Sequence, residues 1–168
     1  MKNLLLVVLM CFACSAFGQS YIKGEFPEVW SRASEYTMEV ARAMPAELYN
    51  YKPYEDAMTF RQQMEHLVNN IGFLSSKITG EKLPLDVLEV ERSKDEILKS
   101  LAMSFQNVDR LIAEIDIANL KEEITFARTT MSRENLFYLI RNHMAHHRGQ
   151  AILYLRMNDI AAPKYVGW

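Results

Sequence analysis

Cysteine is nearly missing from this chain: there are two in 168 residues, Cys11 and Cys14, both close to the N-terminus. The segment that carries them reads as an export signal. Lys2 gives a basic start, Leu4 through Ala13 an apolar stretch, and Ala16-Phe17-Gly18 the small residues that a signal peptidase reads. Cleavage after Gly18 is expected, so 1–18 is the signal and 19–168 the mature chain, destined for the periplasm or the exterior. A retained N-terminal anchor is the other reading, but the apolar run falls short of the roughly 20 residues that span a bilayer. A lipid on Cys14 is disfavoured by Cys11 three places before it. Without cysteine, the mature chain has no disulfides, no thiolate metal ligands and no cysteine nucleophile. No other stretch suggests a membrane span.

Proline and glycine are also scarce, five and six in all, and most stand where helices begin or end. There is no Gly/Ser linker and no internal repeat, so 19–168 is expected to be one domain with one hydrophobic core. Charge of one sign is lacking too: the mature chain has 18 basic and 21 acidic residues. No basic stripe with interleaved aromatics appears, which excludes a nucleic-acid partner on composition. The ten methionines and the many aromatic residues read as core filling.

What the chain does have is helical periodicity. Phe26, Trp30, Ala33, Thr37, Val40 and Met44 predict a first helix over about 27–44, with Pro27 in its first turn, where a missing N–H costs nothing. Pro45 and Pro53 mark a loop, Ala46 to Met58, carrying Tyr49, Tyr51 and Tyr54, which either walls a cleft or packs over the end of the helices. Thr59 with Gln62 forms a capping box that opens a second helix ending at Gly80, and Ser93 with Glu96 opens a third. Ser132 is expected to cap a fourth helix reaching Asn158. The fold class is therefore all-α, a four-helix bundle with a long connection before the last helix. That connection, with a short extended piece at 123–127, is too long for a minimal hairpin and predicts a crossover.

Three of the four histidines fall in Asn142-His143-Met144-Ala145-His146-His147-Arg148-Gly149-Gln150. His143 and His147 are one turn apart and lie within the apolar stripe of the fourth helix, about 40° from each other, while His146 falls at its margin. Two imidazoles so spaced can grip one transition-metal ion, and a third from a neighbouring helix leaves a coordination position open for water or substrate. His66 sits on the polar flank of the second helix, a place that suits a ligand at a cleft wall or an ordinary surface histidine. The residues between His143 and His147 lack the glutamate of zinc proteases, which removes that class. His146, Asn70 and Gln150 are candidates for supporting roles, and Gln63 joins Asn70 at the cleft wall.

The run His143 to Gln150, followed by Tyr154-Leu155-Arg156-Met157-Asn158 and Pro163, resembles the DinB/YfiT-like superfamily of metalloenzymes. Tyr51-Lys52-Pro53, Met58-Thr59, Glu65-His66, the stop at Gly80 and the closing Pro163-Lys164-Tyr165-Val166-Gly167-Trp168 agree with it. The resemblance implies a four-helix bundle and a divalent metal held by His66, His143 and His147. Zinc is the first expectation, nickel and iron the others. It also implies homodimers, and relatives that act as transferases or isomerases with low-molecular-weight thiols. The expected function is that of an exported metal-dependent enzyme of hydrolase type acting on a small molecule. A thiol-dependent transferase or isomerase is the first alternative, and a non-catalytic metal or small-ligand binder the second.

Overall fold

The structure, a computed structural model, describes residues 20–81 and 92–166; the expected signal at 1–18 and the closing Gly167-Trp168 lie outside them. The apolar stripes become four long helices: α1 (Phe26–Ala43), α2 (Phe60–Thr79), α3 (Lys94–Glu114) and α5 (Arg133–Met157). Both capping boxes form, with the Thr59 and Ser93 hydroxyls accepting from the backbone N–H of Gln62 and Glu96. Gly80 ends α2 in the left-handed conformation, at φ 76°, a geometry that costs a side-chain-bearing residue about 1–2 kcal/mol. The protein is mostly helical, and none of the described helices is long and apolar enough to cross a membrane.

The helices bury their stripes on one another in four main pairs: α1 with α3 and α5, and α2 with α3 and α5. Aromatic edges hold the centre, with Phe26 against Phe137 at 6.0 Å between ring centroids and Trp30 against Phe105 at 5.9 Å. Lys23 Nζ donates to Ile112 O and Lys94 Nζ to Arg42 O, so α1 and α3 run antiparallel. Ser20 Oγ donates to Glu134 and Arg148 to Ala33 O, which makes α1 and α5 parallel. Gln63 and His66 face Gln150 and His143, so α2 runs against α5.

Tyr49 gathers one end of the molecule. Its buried hydroxyl donates to Ala41 O at 2.7 Å, its ring lies 5.1 Å from that of Phe60, and Lys94 Nζ stands 5.8 Å over it. Of the two readings of the tyrosine loop, Tyr49 therefore takes the packing one; Tyr54 is exposed, and Tyr51 meets Tyr154 edge-on. Because α2 and α3 both begin beside Tyr49, the chain passes from one end of the molecule to the other between them. The crossover thus falls there and not before α5, where it was expected. The connection before α5 joins ends on the same side, and its length goes into local structure instead.

That local structure also departs from an all-α reading. A short helix, α4 (Ile117–Leu120), leads into β1 (Glu123–Phe126) and β2 (Thr129–Ser132), an antiparallel hairpin pairing Glu123 with Ser132. The expected extended piece is β1; its partner was not foreseen because the turn is Ala127-Arg128, both at positive φ. Such turns usually announce themselves with Asn-Gly or Asp-Gly. Ser132 stands at the start of α5 but makes no side-chain cap, contrary to expectation. Arg133 takes that role differently, its N–H donating to Glu122 O and its guanidinium pairing with the Glu122 carboxylate at 3.0 Å.

Candidate metal centre

Antiparallel packing of α2 on α5 sets the first turns of one beside the last turns of the other. His66 then meets His143 and His147 at the interface. The Nε2 of His143 lies 3.3 Å from Nε2 of His66 and 3.2 Å from Nε2 of His147. One donor nitrogen from each of the three residues falls within 4.8 Å of the others. His147 is buried, while His66 and His143 are half-buried, which suits a cluster at the wall of the interface rather than in its centre.

The separations fit a cation. Imidazole nitrogens at the usual zinc distance of about 2.0–2.1 Å, in tetrahedral arrangement, stand about 3.3 Å apart. Three neutral imidazoles aimed at one point set nitrogen lone pairs against each other, and a shared positive ion turns that opposition into attraction. The protonation states agree. Burial, then the neighbouring histidines, lowers the His143 pKa, and the same causes push His147 down to about 4. Both are therefore neutral near pH 7, as ligands must be.

Gln63 decides which nitrogen of His147 is free. Its Oε1 lies 2.6 Å from His147 Nδ1, which donates to it, so Nε2 keeps its lone pair. The Gln63 amide is itself held: its Nε2 donates to Gln150 Oε1 at 2.7 Å and, more weakly, to Tyr154 Oη at 3.4 Å. Gln150 Nε2 donates in turn to His146 Nε2 at 2.8 Å, and Tyr154 donates to Met58 O at 2.9 Å. This chain of polar groups fixes the amide orientation end to end and ties the cluster to an exposed histidine, His146.

The structure thus brings together His66, His143 and His147, and it places Gln150 and His146 in the supporting network. Asn70 does not join: its Oδ1 is buried with no hydrogen-bond partner. His143 Nδ1 is likewise buried and unpartnered, so the ring is oriented by packing rather than by an acceptor. Sequence reading put Gln63 at the cleft wall without its link to His147, and it missed Tyr154 as an anchor. The signal for both was present: Gln63 is three residues before His66, and Tyr154 is seven after His147, so each faces the cluster's side of its helix.

Fold and cluster define a class: a mostly helical protein with three histidines converging between two antiparallel helices. The family model described as the DinB superfamily matches residues 30–151, and the chain belongs to that superfamily. Among solved structures, a DinB-like protein from Bacillus subtilis is 21% identical, with TM-score 0.70 over 84% of this chain and 98% of its own. One from Bacillus cereus is 20% identical, with TM-score 0.72 over 83% and 94%. A conserved protein from Enterococcus faecalis is 16% identical, with TM-score 0.62 over 78% and 93%. At these identities the likeness concerns the fold. No curated protein matches the chain.

Proposed function

We propose that this chain is a DinB-type four-helix bundle in which His66, His143 and His147 hold one divalent transition metal. Zinc is the first candidate, nickel and iron the others, and the protein is read as an exported metal-dependent enzyme of hydrolase type. The observation that carries the reading is the convergence of the three rings, with His143 Nε2 3.3 and 3.2 Å from Nε2 of His66 and His147 and one nitrogen of each residue within 4.8 Å of the others. A divalent ion held there supplies Lewis acidity toward water or a substrate oxygen.

The protein's own residues have separable tasks. Gln63 holds His147 in the tautomer that presents Nε2, and packing holds His143. Gln150 and Tyr154 keep Gln63 from rotating. His146 accepts from Gln150 at the exposed end of the network. Dimerisation, drawn from the family resemblance, and export, drawn from the first 18 residues, belong to the same proposal.

Metal analysis of purified protein tests it. About one divalent ion per chain is expected for the wild type, with loss in His143→Ala and in His147→Ala; undiminished stoichiometric metal in both variants ends the reading. Cobalt-substituted protein separates hydrolase from thiol chemistry. A visible-spectrum change on adding low-molecular-weight thiols favours the transferase alternative, and turnover of an ester or amide panel without such a change favours the hydrolase.

A further inference from the structure

The face of α5 that looks toward α1, on the other side of the helix from His143 and His147, lines a cavity of about 360 Å³. Its cations come from two elements: Arg32 on α1, and Arg141 and Arg148 on α5. Three tyrosines complete the wall, Tyr21 ahead of α1, Tyr36 within it and Tyr165 from the C-terminal segment. Among the described residues, no carboxylate lines the cavity. Arg32 pairs with Glu28 on the exposed surface of α1.

These arginines are not equivalent. Arg148 Nη1 donates to Ala33 O at 2.9 Å and to Thr37 Oγ1 at 3.2 Å, and its guanidinium stacks 4.7 Å over the Tyr36 ring. It is a fixed part of the α1–α5 joint and a standing positive charge in the cavity lining. Arg141 makes one described side-chain bond, from Nη2 to the neighbouring Asn142 Oδ1 at 3.2 Å, which leaves most of its planar fork of donors. Tyr36 and Tyr165, both lining the cavity, meet edge-on at 6.1 Å.

Planar guanidinium donors match the oxygens of a carboxylate or phosphate, aromatic walls match a ring, and the volume is that of a small-molecule site. We propose that this cavity binds a small aryl oxyanion, its anionic group held by Arg141 and Arg32 in the field of Arg148 and its ring held among the tyrosines. The site is separate from the histidine cluster and does not depend on a metal there.

The test is calorimetric titration of the full chain with benzoate and with phenyl phosphate, with benzyl alcohol and inorganic phosphate as partial mimics. Saturable binding of either aryl anion is expected, weakened about tenfold in Arg141→Gln and in Arg32→Gln. Both residues lie on helix surfaces and their replacement leaves the Arg148 joint intact. His143→Ala should bind the anion as the wild type does. The proposal is overturned if neither anion binds, or if both arginine variants bind as well as the wild type. It is equally overturned if benzyl alcohol or inorganic phosphate binds as tightly as phenyl phosphate, or if His143→Ala abolishes binding, which would move the anion to the histidine cluster.

Discussion

At the scale of single residues, the histidine cluster depends on one amide. Gln63→Leu removes the acceptor for His147 Nδ1–H while keeping the side chain's bulk, and loss of such an orienting partner lowers metal affinity by about 10- to 100-fold. Gln63→Glu keeps an acceptor and should restore most of it. A chelator-competition titration checks both, and equal affinity in Gln63→Leu and the wild type would show that packing alone orients His147. Protonation gives a second prediction. His147 titrates near 4 in the fold against an ordinary 6.5, so between those values the unfolded chain binds more protons than the folded one. Stability of the metal-free protein is therefore complete above about pH 6.5 and declines as pH falls toward 4. Thermal melts across that window should show a steeper decline for the wild type than for His147→Gln.

At the scale of elements, helix ends and helix interiors respond differently. The Thr59 cap is formed and the Ser132 cap is not, so Thr59→Ala should cost about 1 kcal/mol and Ser132→Ala much less. A domain of this size melts about 2–4 °C lower per kcal/mol lost, so scanning calorimetry resolves the two variants. Gly149 offers the opposite case. It lies inside α5 with ordinary helical geometry, and a Cβ there would meet nothing within 4 Å. Gly149→Ala should then stabilise α5 by up to about 1 kcal/mol through helix propensity alone. A lower melting temperature would mean that the glycine serves a close approach not visible in the isolated chain. The same propensities explain what was readable here: caps at Thr59 and Ser93, the stop at Gly80 and the apolar stripes are local signals, and each element they predict stands within a residue or two of its place.

At the scale of the molecule, Tyr49 joins α1, α2 and α3 through one buried hydroxyl and one ring. Tyr49→Phe leaves Ala41 O without its partner at the cost of about 1–3 kcal/mol. Because the residue that loses this bond to α1 also packs its ring against Phe60 of α2 and beneath Lys94 of α3, fluorescence and circular dichroism should lose their signals in one lowered transition; separate transitions would show that α3 unfolds independently of α1. The sequence alone settled the helices, their order, the pairing of His143 with His147 on one face, and the family to which those motifs point. It left His66 undecided, since a residue at the edge of a stripe faces a partner or solvent according to which helix packs beside it. Only the tertiary structure decided that α2 lies antiparallel on α5, that the crossover falls between α2 and α3, and that Ala127-Arg128 turns a hairpin. The reason is physical: caps and periodicity act within a few residues, whereas helix direction, the meeting of His66 with His143 and the polar chain from His147 to His146 depend on which faces bury each other across the core.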